Sequence, residues 1–110
     1  MSDVREARKA LVRRILEGEG KTSPSERRAA FNNSVPTGPV GALVEKVAKH
    51  AHRATDEDIA AARASGHSED QLFEIVVCAA VGQATRQYDV AMAALEAATG
   101  KSEYAAPNPR

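Results

Sequence analysis

The sequence predicts an all-α protein, a bundle of about five helices arranged around a long C-terminal helix. Three observations predict it. Apolar residues recur at steps of three and four, and no stretch shows the alternation of a strand. Helix-start signatures, a hydroxyl followed three residues later by Asp, Glu or Gln, stand at Ser23, Thr55 and Ser68. Alanine supplies 22 of the 110 residues and tryptophan none, a composition that favours helix and lets helix axes approach closely.

The elements follow in order. Ser2 to Glu17 forms an amphipathic pattern, with Val4, Ala7, Leu11, Ile15 and Leu16 on one face and Arg5, Arg8, Lys9, Arg13 and Arg14 elsewhere; Gly18 and Gly20 end it. Ser23-Pro24-Ser25-Glu26 combines a cap, a proline at the first helical position and a closing Glu, and starts a short helix to about Asn32 anchored by Phe31. Asn33 to Pro39 is a loop. Pro39 opens a helix whose stripe is Val40, Leu43, Val44, Val47, Ala48 and Ala51, expected to run to about Ala54. Thr55-x-x-Asp58 starts a short helix that Gly66 closes, and Ser68-x-x-Gln71 starts the long one, which Gly100 closes. Residues 1–100 are expected to form one domain, and residues 101–110, with Pro107 and Pro109, a loose tail.

The long helix carries the strongest burial signal. From Leu72 to Ala84 only Glu74, Gly82 and Gln83 interrupt the apolar residues, which predicts contact on nearly every side. Phe73, Val77, Ala80, Ala84, Tyr88, Ala91, Leu95 and Ala98 form one continuous stripe, expected to be the main core face. Small side chains bury little area apiece, so association with further copies of the chain is expected to supplement the core.

Fifteen basic and fifteen acidic residues cancel, but not evenly along the chain. Residues 1–53 carry 11 Lys or Arg against 6 Asp or Glu, and residues 54–110 carry 4 against 9. Complementarity within or between subunits accounts for this. A nucleic-acid surface on the first helix is the weaker reading, because its arginines alternate with Glu6 and Glu17 and no aromatic residue interleaves them. The lone Cys78 rules out an intrachain disulfide, a Cys-x-x-Cys redox pair and a thiolate zinc cluster. No segment reaches membrane-spanning length and the first ten residues lack an apolar leader core, so a soluble cytoplasmic protein is expected, with no membrane or nucleic-acid partner.

The run Ala60-Ala61-Ala62-Arg63-Ala64-Ser65-Gly66-His67-Ser68-Glu69-Asp70-Gln71, followed by Glu74 and Arg86, is a short helix, a Gly-x-Ser turn and a long helix. Over about residues 36–98 this resembles the carboxymuconolactone decarboxylase and alkyl hydroperoxidase D-like superfamily. The resemblance implies an all-helical fold assembled into trimers or hexamers. Family members with hydroperoxidase activity carry Cys-x-x-Cys-x-x-x-His ahead of the long helix; counted back from Gly66, those positions hold Ala51, Ala54 and Asp58. Without a thiolate nucleophile the peroxidase activity does not carry over. The decarboxylase branch, which uses acid and base groups, stays open.

The candidate site residues are His50 and Glu74 for proton transfer, and Arg86 and Tyr88 for holding a small carboxylate. Glu74 lies in an apolar run one turn from Cys78, where burial is expected to raise its pKa toward the range of a general acid or base. The plain alternative is a carboxylate at the solvent edge or paired to arginine. His50 borders the stripe of Leu43 and Val47, so a boundary histidine competes with a catalytic one. His50 and His52 sit about 200° apart on a helix and cannot share a metal, and His67 falls in an exposed turn. Cys78 reads as a small core residue, and Arg86 and Asp89 as an i, i+3 pair. No metal or cofactor is expected. Two functions remain: an oligomeric binding or accessory module without peroxidatic cysteines, or a cofactor-free decarboxylase or isomerase of a small carboxylate.

Overall fold

In the computed structural model, which describes residues 2–100, five α-helices follow one another with no strand among them: α1 (Ser2–Glu17), α2 (Pro24–Phe31), α3 (Pro39–His50), α4 (Asp56–Ala64) and α5 (Glu69–Thr99). The expected tail, 101–110, lies outside the described residues. All three start signatures close as reciprocal capping boxes, with Ser23, Thr55 and Ser68 each accepting from the amide three residues on. Each cap removes an orphan donor worth roughly 1 kcal/mol, which stabilises helices as short as α2 and α4. Gly100 ends α5 in the left-handed conformation.

One boundary differs from expectation. α3 stops at His50, whose φ of −147° and ψ of 56° leave the helical region, and Ala51–Arg53 form a single 3₁₀ turn instead. The chain has to reverse within five residues so that α4 can return along α3, and the tighter turn delivers Thr55 to its cap.

The interior is thin. Ala30, Val44, Ile75, Cys78 and Ala79 form one buried cluster between α2, α3 and α5, and Leu43, Ala62 and Leu72 a second between α3, α4 and α5. Leu43, Val44 and Cys78 are the largest fully buried side chains. Close approach compensates for small size at Gly82, where a Cβ would overlap the Phe31 carbonyl of α2.

α5 therefore turns to the core a face other than the one its longest stripe marks. Leu72, Ile75, Cys78, Ala79 and Gly82 point inward, whereas Phe73 is 70% exposed, Leu95 54% and Tyr88 47%. The expected main core face is the outward one. The physical reason is that α5 is apolar on two sides and four short helices cover only one of them. Past Arg86 the helix stands largely clear of the body, with Met92 and Glu96 alone half-buried between Gln87 and Gly100. At 31 residues α5 is about 46 Å long. The molecule accordingly measures 60 × 29 × 19 Å, with a radius of gyration of 16.9 Å against the ~13 Å of a compact domain this size.

Gly82→Ala tests the close approach. Helix propensity alone favours alanine by about 1 kcal/mol, yet the added methyl meets backbone that cannot rotate away, so chemical denaturation should show a net loss of about 1–3 kcal/mol. A stabilised variant would mean that α2 does not press on α5 at that point.

Candidate functional site

The polar residues of the interior gather where the α1–α2 connection crosses α5. Glu74 reaches that connection from the second turn of α5. Its Oε2 accepts from the Lys21 amide at 2.6 Å, and its Oε1 from the Thr22 amide at 2.9 Å and the Thr22 hydroxyl at 2.6 Å. Gly20 gives the carboxylate room, since a Cβ there would lie 2.8 Å from Oε1. Gln71, one turn earlier, donates to the Lys21 carbonyl at 3.2 Å.

Behind Thr22 lies Arg27, only 5% exposed. Its guanidinium donates to the carbonyls of Ile15 at 3.1 Å, Gly18 at 2.7 Å and Thr22 at 3.2 Å. These include carbonyls at the end of α1 that have no partner inside their helix, so the cation satisfies them and sits favourably at the negative end of the helix dipole. Thr22 thus links the two charges, giving its carbonyl to Arg27 and its donors to Glu74. Arg27 shares a helix face with Ala30 and Phe31 at steps of three and four, the signal in the sequence that marks it as inward-facing.

This arrangement reverses the expected electrostatics of Glu74. Burial pushes its pKa up, but the Thr22 hydroxyl, the Lys21 and Thr22 amides and the nearby Arg27 together hold it below the usual carboxylate range. A carboxylate held as an anion by three donors is a poor general acid or base near neutral pH. Cys78, expected as a small core residue, is 1% exposed, with Sγ 3.9 Å from the Ile15 carbonyl oxygen. Burial raises its thiol pKa, Arg27 opposes this and Glu74 adds to it.

The other candidates lie elsewhere. His50 and His52 are exposed, their rings edge to face with centroids 6.3 Å apart. His50 is not among the residues lining the groove beside Glu74. Arg86 does not pair with Asp89. It donates to the Phe31 carbonyl at 2.6 Å and to Gln83 Oε1 at 3.0 Å, so it caps the C-terminus of α2 one turn from the Gly82 contact. Asp89 accepts from Arg8 of α1 at 2.9 Å, and the same guanidinium lies 5.1 Å from the centre of the Tyr88 ring. His67 is not exposed as expected but half-buried, with Nε2 3.7 Å from Glu26. Lys46 holds Asp58 at 2.9 and 3.0 Å and, with the Thr55 amide and hydroxyl, lowers its pKa against a smaller effect of burial.

A groove of about 570 Å³ opens between α1 and α5 beside this cluster, lined by Leu11, Ile15, Phe73 and Val77 and by Arg14, Arg27 and Glu74. Its walls are mostly apolar; Glu74 is held by the Lys21 and Thr22 amides and the Thr22 hydroxyl, and Arg27 by three carbonyls, with the buried Arg27 Nε left without a partner among the described residues.

Glu74 and Asp58 are both easier to protonate in the unfolded chain, so stability rises with pH; their contribution is complete above the ordinary values of about 4 and is lost as pH falls through the lower folded ones. Thermal unfolding midpoints should therefore fall as the pH drops below about 4. Glu74→Gln should flatten part of that slope and cost about 1–3 kcal/mol at neutral pH, because an amide cannot accept from all three donors. An unchanged slope would remove Glu74 from the account.

Comparison with family models, curated proteins and solved structures finds no match to this chain.

Proposed function

We infer that this chain is a non-catalytic helical module, a binding or accessory protein of alkyl hydroperoxidase D-like organisation that lacks peroxidatic cysteines. The observation that carries this reading is the state of Glu74. Glu74, which borders the groove together with the exposed Glu19, is committed to the Lys21 and Thr22 amides and the Thr22 hydroxyl, and its pKa is lowered. Arg86, the proposed substrate clamp, is committed to the Phe31 carbonyl. The proton-transfer alternative needs His50 and Glu74 to share a substrate, and the two engage different neighbours. The kinship is supported by the succession of α4, the turn at Gly66 and α5, the helix–turn–helix order on which the resemblance rests.

In this reading the groove and the outer face of α5 are contact surfaces, and the buried polar groups serve the fold. The thiol plays no redox part: Cys78 is enclosed and its pKa is raised, which leaves it protonated and shielded from peroxide.

Turnover assays over alkyl hydroperoxides with a dithiol reductant, and over small unsaturated carboxylates, test the inference. No turnover is expected, and a thiol reagent should modify Cys78 only at the rate of unfolding. Peroxide reduction abolished by Cys78→Ser, or decarboxylation abolished by Glu74→Gln in a variant that still unfolds cooperatively, would replace this reading with an enzyme.

A further inference from the structure

The groove between α1 and α5 holds two features that the fold does not use. The two helices run antiparallel there, with Ile15 beside Cys78 and Thr22 beside Glu74. Leu11, 53% exposed, and Phe73, 70% exposed, line it together with Val77. Large apolar side chains scattered singly over a surface need no explanation, whereas a set gathered along one cleft is the usual lining of a ligand site. The second feature is uncommitted positive charge. Carbonyls engage Nη1 and Nη2 of Arg27, but its buried Nε has no partner among the described residues. Nε and Nη2 share the edge of a guanidinium that a carboxylate engages side-on. Arg14, three residues on from Leu11, lines the same groove, and its exposed guanidinium has no hydrogen bond or ion pair among the described residues.

We propose that this groove binds a single-chain aliphatic carboxylate, a free medium-chain fatty acid, with its tail between Leu11, Phe73 and Val77 and its carboxylate against Arg14 and the Nε edge of Arg27. This ligand deepens the binding-module reading, on which it rests, by giving the module a chemistry. Charge selects the head group. Glu74 is saturated by the Lys21 and Thr22 donors and lies near Arg27, so those two charges offset one another. Glu19, the other carboxylate of the groove, also borders the shallower hollow beside Lys21, where it has an ammonium to turn to. Turning there clears the end of the groove that Glu19 shares with Arg27 and leaves Arg14 as the free charge. A guanidinium holds a carboxylate by two parallel contacts.

Size selects the tail. The volume of about 570 Å³ falls within the roughly 300–1,000 Å³ of small-ligand sites. From Leu11 to Gly18 the helix rises about 10 Å, which at about 1.25 Å per carbon of an extended chain spans roughly eight methylenes. A partner helix, about 10–12 Å wide with its side chains, would rest on Leu11 and Phe73 and leave the buried Nε edge unengaged. A slim head group on a flexible tail reaches both.

NMR titration of the full chain with hexanoate, octanoate, decanoate and dodecanoate, each below its micellar concentration, tests this. Saturable shifts are expected at the Gly18 and Glu19 amides and at the Arg27 Nε–H resonance. Kd should fall about two- to fourfold per added methylene as far as decanoate, and little from decanoate to dodecanoate. Arg14→Gln, at an exposed position, should weaken octanoate binding about fivefold or more and leave 1-octanol binding unchanged, with cooperative unfolding intact; Leu11→Ser should weaken both. No saturable shift, octylamine bound as tightly as octanoate, one affinity for all chain lengths, or an Arg27 Nε–H signal unmoved at saturation would each overturn the proposal. So would attachment to phosphatidylcholine vesicles without uptake of free octanoate. Turnover of the bound acid would sink the non-catalytic reading while bearing out the ligand, whereas absence of both binding and turnover would remove the ligand alone.

Discussion

A carboxylate on one helix, caught by two successive amides and a hydroxyl of a connecting segment, is the contact on which the arrangement of the first two helices depends. Glu74 does this for the segment between α1 and α2, and Arg27 completes it from the other side by donating to the backbone carbonyls of Ile15, Gly18 and Thr22. Hydrogen bonds to charged groups contribute about 1.5–3 kcal/mol each when their donors are partly buried, whereas an exposed ion pair contributes about 0–1 kcal/mol. On that scale the cluster around Thr22 outweighs exposed pairs such as Arg28 with Glu17 or Arg63 with Glu69. A chain with two phenylalanines and no tryptophan has little other means of fixing α1, whose apolar face is only partly covered. Arg86 repeats the device at the end of α2, where Gly82 admits the Phe31 carbonyl and the guanidinium binds it.

These ties account for the fate of the functional candidates. Charged residues in an apolar helix attract a catalytic reading because burial perturbs their pKa, but structural networks perturb it as well. The direction separates the two cases. Desolvation alone would have raised Glu74 toward neutrality, and three donors with a nearby cation lower it. Arg86 and Glu74 are both taken up by main-chain groups of α2 and of the segment before it, so the polar chemistry of α5 organises its neighbours.

Much of the fold was legible because its signals are local. Ser23, Thr55 and Ser68 announce their helices within four residues, and each box closes as written. The 3₁₀ turn after His50 was not legible, since it follows from where α4 must pack and Ala51 to Arg53 are compatible with continued helix. Periodicity found an apolar stripe on α5 but could not say which of two apolar faces the same chain covers. The distinguishing mark was Gly82, a glycine in mid-helix on the Ile75 and Ala79 side, where α2 requires the space of a Cβ. Arg27 was hidden by its neighbour Arg28: a pair of arginines reads as a wet surface until the spacing to Ala30 and Phe31 puts the first of them inside. The role of Glu74 depended on donors more than fifty residues away, which no local pattern records.

The central claim is that Glu74 is a structural anion. Carbon-detected NMR titration of its side-chain carboxyl, followed together with the Lys21 and Thr22 amide resonances, tests this most directly. The account predicts a titration below the ordinary glutamate value of about 4.3, with both amides shifting at the same midpoint as their acceptor is lost. A midpoint above that value, or amides that do not respond, would contradict it and return Glu74 to the set of candidate acids and bases.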